Sequence, residues 1–295
     1  MPQKTVYTKV GMERWQTPAS RQHLFPKISK AFGGRAIVTF FTSFRYPVQI
    51  DDDDCDMLQS VLQETDLSKG FVLMINSPGG DPLAAERIVN ICRTYGNGGY
   101  WALVPSRAKS AATVICMGAE KIIMLPVSEL GPIDPQIILE EDGVTKWFSA
   151  FSLVSSYKEL FDAAIKTTGH VEPFVQQLQR YDAREIARYQ NVIDLMKDVA
   201  IKILSSGMMK GTPTVDIERK IQLFLDPKAG TREHGRAIYA SEARACHLNV
   251  DEISVKTPEW EAIYELYYRS ESYVTHNVSK MVESQTEAFY MPIPE

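Results

Sequence analysis

Two apolar runs that break abruptly into glycine- or serine-bearing turns, each followed at once by a helix-patterned segment, constrain this chain more than any other feature. Phe71–Ile75 is a compact apolar run that stops at Asn76-Ser77-Pro78-Gly79-Gly80, as a buried strand ending in a turn does. The next segment places Leu83, Ala84, Ile88, Val89 and Ile91 at amphipathic helical spacing, and Gly96–Gly99 closes it. The unit then repeats. Tyr100–Val104 reads as a strand, Pro105–Lys109 as a polar turn, Ala111–Ala119 as a helix of small apolar residues, and Ile122–Leu125 as a third strand. Short connections between successive strand and helix units imply an α/β fold with a parallel sheet, right-handed crossovers, and a site where turns meet at the carboxyl ends of the strands. Gly80 and Ser110 both fall at such ends.

Upstream, Ala36–Phe41 is a β-rich apolar run followed by a turn-like Ser43–Pro47 and the acidic block Asp51–Asp54. That block suits a helix N-terminus carrying Met57, Leu58, Val61 and Leu62 better than a metal site. From Trp147 to Leu204 apolar residues recur at helical spacing, which predicts a helical section over about 147–207, interrupted at Gly207–Pro213. Shorter helices are expected at Val215–Leu225, Ser241–Leu248 and Trp260–Tyr268. The expected organisation is an N-terminal arm over 1–30, a main domain over 31–255, and a C-terminal helical tail over 256–295. The aromatic residues of Trp260–Tyr273 suit packing or assembly rather than base stacking.

Composition excludes several functions. The 295 residues are 44% hydrophobic, enough for a sizeable core, and 32 Lys and Arg against 37 Asp and Glu leave a net charge of −5 with no basic footprint for nucleic acid. Cys55, Cys92, Cys116 and Cys246 are scattered without metal-ligand spacing, so reduced thiols, no metal and a cytoplasmic location are expected. The first thirty residues hold no apolar run of the length a signal peptide core needs, and the longest runs in the chain, such as Ala111–Ala119, fall far below a membrane span. No Gly-x-x-x-x-Gly-Lys-Ser/Thr loop is found, so an unfolding activity is not expected within the chain, and no cofactor is called for.

Two turns carry candidate chemistry. Gly79 and Gly80 allow a tight bend with open amides. Ser110 enters its helix where the Ala111 amide is a free helix-terminal donor, and that placement supports charge developing beside a serine nucleophile. Taken alone, Ser110 also fits a plain N-cap.

Three motifs in order, Asn76-Ser77-Pro78-Gly79-Gly80, Ser110-Ala111-Ala112-Thr113 and Ser128-Glu129-Leu130-Gly131-Pro132-Ile133-Asp134-Pro135-Gln136, together resemble the serine dehydrogenase proteinase family over roughly Ala36–Ile137. That family is similar to the Clp proteolytic subunit and to signal peptide peptidase A. The resemblance implies a ClpP/crotonase-like spiral of β-β-α units, an oligomer, and a serine endopeptidase. Ser110 then matches the nucleophile, and the Gly80 and Ala111 backbone amides match the oxyanion hole.

No Ser-His-Asp triad carries over, because this chain has Ile133 about where the Clp subunit has a histidine. Signal-peptide-peptidase-like members use a lysine base. Lys146, expected after an Asp142-Gly143 turn and before a helix, is the first choice. Lys158, Lys166 and His234 are the alternatives, and Asp134 either orients a base or caps the Pro135 turn. Lys109 is set aside, since neighbouring side chains in an extended segment point opposite ways. The leading expectation is therefore a homo-oligomeric serine peptidase acting on peptides or proteins, with any separate unfoldase unknown. Two other readings compete with it: a crotonase-like acyl-coenzyme A enzyme, and a non-catalytic assembly protein of the same fold.

Overall fold

A computed structural model describes residues 5–13, 17–141, 144–226, 236–255 and 257–294. The first strand, β1 (Ala36–Thr42), pairs in parallel with β2 (Phe71–Asn76), β2 with β3 (Trp101–Val104), and β3 with β5 (Lys121–Met124). Every residue of β2 is buried. Its side chains alternate between two cores: Phe71, Leu73 and Ile75 face one, and Val72 and Met74 the other. Helices on both faces explain why the run is apolar without a polar alternation.

On the first face lie α4 (Asp52–Gln63), α5 (Pro82–Tyr95) and α6 (Ala111–Met117). They fill the larger core with Leu58, Val61, Ile88, Val89, Val114 and Ile115. Asp51–Asp54 opens α4, as expected of acidic residues at a helix start. Leu83 is a correction: it sits in the first turn of α5 with 55% of its surface exposed, outside the buried stripe. On the second face α3 (Phe25–Ala31) and α13 (Pro258–His276) contribute Phe25, Ile28, Ile263 and Leu266. The N-terminal arm is held to α13 by Lys9 on Glu265 (2.6 Å) and by Glu13 on Arg269. Trp260, Tyr267 and Tyr273 of α13 pack, partly buried, against this second core.

The short strands β4 (Arg107–Ala108) and β6 (Glu129–Leu130) form a second, parallel pair, so β3, β4 and α6 make one β-β-α unit. The result is a mixed α/β fold with a mostly parallel central sheet, in agreement with the expected ClpP-like architecture. No helix among the described residues is long and apolar enough to cross a membrane.

Two further expectations are corrected. The helix expected from Trp147 begins at Ala150, because Gln136–Glu141 (β7) and Val144–Ser149 (β8) pair as an antiparallel hairpin. Val144, Thr145, Trp147 and Phe148 are β-branched or aromatic and favour a strand. Ser149 then caps α7 (Ala150–Lys166) by accepting from the Ser152 amide. The Asp142-Gly143 turn lies outside the described residues. In the C-terminal tail, α13 is followed by two strands instead of more helix. β10 (Lys280–Glu283) runs antiparallel to β1 and β11 (Ala288–Met291) pairs outside it, giving the order β11-β10-β1-β2-β3-β5-β9, with β9 being Val250–Glu252. Met281 and Val282 are buried there, while the charged ends Lys280 and Glu283 find buried partners in Asp54 and Arg21.

Burial pushes the Asp54 carboxyl up to about 6 even though Lys280 pulls it down. The folded chain thus binds a proton at Asp54 more tightly than the unfolded chain, whose carboxyl has an ordinary value near 3.8. This favourable contribution is complete below the unfolded value and is lost as pH rises through about 6. On going from pH 7 to pH 5, the wild-type unfolding free energy in urea should gain roughly 1 kcal/mol more than that of Asp54→Asn. Equal gains in the two proteins would show that Asp54 is not the group titrating.

Candidate active site

The two glycine- and serine-bearing turns are fastened to each other by backbone bonds. The Ser77 N–H donates to the Arg107 carbonyl (3.1 Å), and the Lys109 N–H donates to the Ser77 carbonyl (3.0 Å). Asn76 adds a third tie, accepting from the Arg107 amide at 3.0 Å while its own amide donates to Glu271 of α13 at 2.7 Å. Burial raises the Glu271 carboxyl above its ordinary range, with Arg107 nearby working against the rise.

Gly79 has φ +102°. A methyl group at its Cα would lie 2.5 Å from the Lys109 carbonyl oxygen, 2.7 Å from Ser110 Cβ and 2.9 Å from the Ala111 nitrogen. Gly80 is enclosed on its other side, where a methyl would lie 2.3 Å from the Ile50 backbone. Ile50 brackets it, donating from its amide to the Gly79 carbonyl (2.8 Å) and accepting from the Asp81 amide (2.9 Å). Both glycines are therefore required by close backbone approach. Asp81 then caps α5 through the Leu83 and Ala84 amides.

Ser110 occupies the N-cap position of α6 with φ +49° and ψ −120°, and its side chain makes no capping bond. Capping serines lie in the extended region and use the hydroxyl to cap; Ser110 does neither. A non-glycine residue held in this conformation carries about 1–3 kcal/mol of strain. The surroundings that hold it include the Val114 amide on the Ser110 carbonyl (3.2 Å) and the Thr113 hydroxyl on the Ala108 carbonyl (2.7 Å). Among the described residues, neither the Gly80 nor the Ala111 N–H donates to a protein acceptor. The turn thus presents a hydroxyl with no capping duty, the α6 N-terminus and two open amides together, which is the equipment for attack on a carbonyl and for holding the resulting oxyanion.

Ser110, Gly79 and Gly80 line a cleft of about 570 Å³. Its far wall is the Ser43–Gln49 segment, and Pro135, Gln136 and Val192 complete it. The wall includes Phe44, Tyr46, Pro47 and Val48, while Arg45 and Asp81 supply charge. Sequence reasoning missed this wall. Ser43–Pro47 reads as a turn, and nothing in its composition marks it as facing Ser110.

The candidate bases are spread over several elements. Lys146 lies in β8 opposite Leu139, three positions from the hairpin base where Ser149 pairs with the cleft residue Gln136. Its backbone is thus roughly 10 Å along the strand from the cleft edge. Lys158, exposed on α7, donates to Gln190, and Lys166 closes that helix on its exposed side. His234 lies outside the described residues. Ile133, where the Clp subunit has its histidine, is buried, and its amide donates to the Phe224 carbonyl. Asp134 accepts from the Phe151 amide in the first turn of α7 and helps cap that helix. Lys109 turns toward β6, with its amine on the Leu130 carbonyl and on Glu129, both at 3.3 Å. Burial lowers its pKa, and Glu129 opposes the drop.

Residues 35–145 match the family of ClpP-like SDH-type serine proteinases. The resemblance to the serine dehydrogenase proteinase family holds over that stretch, which contains both turns and the start of the hairpin. The chain is also similar to two proteins of Methanocaldococcus jannaschii. It is 26% identical to Uncharacterized protein MJ0137 over 59% of each chain, and 24% identical to Uncharacterized protein MJ1495 over 51% of this chain and 58% of that one. The chain thus spans just under three fifths of the length of these curated relatives.

Gly79→Ala should lose about 2 kcal/mol or more in chemical denaturation, since the positive φ, two backbone atoms and Ser110 Cβ all oppose a methyl. Gly98 shares the positive φ, at +101°, but has open space around it. Gly98→Ala should therefore cost only about 1 kcal/mol. Equal losses at the two positions would contradict the close approach of Gly79 to Ser110.

Proposed function

We propose that this chain is a serine peptidase that cleaves peptide bonds in peptides or proteins through an acyl-enzyme on Ser110. The observation that carries the reading is the strained, non-capping Ser110 at the α6 N-terminus, with the Gly80 and Ala111 amides open beside it. The family matched over residues 35–145 supports the same reaction class.

In this reading the Ser110 Oγ attacks the scissile carbonyl carbon as its proton passes to a base. The carbonyl oxygen gains the negative charge and accepts from the Gly80 and Ala111 amides, whose support is greatest when that charge is fully developed. Collapse of the tetrahedral species breaks the C–N bond, and the base returns its proton to the departing amine. Water then attacks the Ser110 ester by the same route and restores the hydroxyl. Donors of this kind are worth about 10²–10³ in rate each.

Lys146 is proposed as the base, in the lysine version of this chemistry. An amine accepts a proton only when neutral, and the ordinary lysine pKa is about 10.4, so the reading requires surroundings that lower it. Activity then rises with pH as the amine deprotonates. A homo-oligomer is part of the same proposal, supported by the exposed apolar side chains Phe161 and Ile165 on α7 and Val175 on α8 (Glu172–Leu178).

A fluorophosphonate probe should label wild-type protein at Ser110 and leave Ser110→Ala unlabelled with its circular dichroism intact. Labelling that persists in the folded variant would remove Ser110 from the mechanism. Lys146→Ala should lower peptide turnover by about 10²-fold or more and abolish the rise with pH, while Lys158→Ala and Lys166→Ala stay near wild type. A harmless Lys146→Ala beside a crippling His234→Ala would instead assign an imidazole base.

A further inference from the structure

The wall of the cleft, Ser43–Gln49, leaves the sheet at the end of β1 and returns at Ile50, which brackets Gly80. Both ends of this segment are tied to two consecutive residues at the start of β10: Ser279, just before the strand, and Lys280, its first residue. At the first end the Ser43 amide donates to the Ser279 carbonyl at 2.9 Å. At the second end the Lys280 amine donates to Asp51 at 2.6 Å and to Asp54 at 2.8 Å. Asp54 in turn accepts from the Asp51 amide at 2.9 Å. Lys280 is only 4% exposed and Asp54 1%, so these bonds act with little solvent between them. Asp51 is the half-exposed member.

We infer that Lys280 is a positioning residue for the oxyanion hole, clamping Asp51 and Asp54 so that Ile50 holds the Gly80 amide in place. The inference rests on the peptidase reading for what the Gly80 amide does, but the clamp itself is a statement about structure. A single covalent step joins Asp51 to Ile50, and the two Ile50 bonds grip Gly79 and Asp81 on either side of Gly80. With Ser279 fixing Ser43, the wall has no free end, so the cleft width and the Gly80 amide are set by the same pair of residues. Lys280 lies far outside residues 35–145, the stretch shared with the family. A strand from the end of the chain thereby becomes part of the apparatus that aims a donor near its middle. Misplacing a donor by about 1 Å costs on the order of 10²-fold in rate, so a residue that touches no reacting atom still controls turnover.

Hydrogen exchange of the full chain, read by mass spectrometry on peptides covering 43–50 and 78–84, separates the clamp from the chemistry. Lys280→Met should speed exchange in both peptides by about tenfold while the β2 peptide covering 71–76 stays protected. Ser110 labelling by a fluorophosphonate should slow by about tenfold or more, and Lys280→Arg, which keeps a cation, should recover most of both losses. Should Lys280→Met not fold, Asp51→Asn removes the half-exposed carboxylate from the clamp, and exchange in the same two peptides should rise about threefold. Unchanged exchange in folded Lys280→Met, or in Asp51→Asn where that is the variant measured, overturns the inference. A wild-type protein that resists the probe while Lys280→Met still loosens both peptides would keep the clamp and overturn the peptidase reading instead.

Discussion

The structure around the candidate site depends on a two-bond backbone bridge between Ser77 and the Arg107–Lys109 segment. It draws the ends of two neighbouring units together until Gly79 Cα faces Ser110 Cβ at a separation no larger residue tolerates. Hydrophobic burial sets the sheet and its two cores, but burial is non-directional and does not place a hydroxyl beside an amide. The bridge does so, since both of its bonds are fixed in direction and are shielded by buried residues. Once it is formed, α6 must start at Ser110 with the open Ala111 amide beside the glycine turn, and the strain at Ser110 is held by the packing of α6 on α5 and α9 (Ala183–Ser205).

Around that bridge the chain assembles supports from distant parts of the sequence. Glu271 on α13 holds Asn76, Lys280 on β10 holds the Asp51 end of the cleft wall, and Val192 on α9 closes the cleft. The matched stretch, 35–145, contains Ser110, both glycines and most of the cleft wall, and the remainder supplies bracing from Glu271 and Lys280 and the wall residue Val192. This division explains how a short family match coexists with a site whose geometry involves most of the chain.

The strands β1, β2, β3 and β5, the two turns and the helix beginning at Ala111 were legible in the sequence, because each is a local pattern: an apolar run, a glycine pair, a periodic stripe. Ser110 was legible as a candidate for the same reason. What could not be read depended on contacts across long sequence separations. Ser43–Gln49 has no periodicity of its own, and its role as a wall comes from Ser279 and Lys280. β10 looks polar at both ends because Lys280 and Glu283 bury their charges only against Asp54 and Arg21. The end of the β7–β8 hairpin was read as helix, because the helical spacing of Phe151, Val154 and the apolar residues after them was carried back to Trp147, which belongs to the strand before α7. The N-cap reading of Ser110 was open in the sequence and closed only by its backbone angles and its unused hydroxyl.

Ser110 as nucleophile with Gly80 and Ala111 as oxyanion donors requires one serine hydroxyl and two backbone amides to converge on a single carbonyl group. A crystal structure of the chain with a peptide boronate tests it most directly, because the tetrahedral boron adduct reproduces the shape of the attacked carbonyl. The account predicts a covalent bond from Ser110 Oγ to boron, with one boronate oxygen about 2.7–3.1 Å from both the Gly80 and the Ala111 nitrogens and the peptide lying in the cleft against Ser43–Gln49. A boronate bonded to another residue, or one bonded to Ser110 whose oxygens face away from both amides, would contradict it.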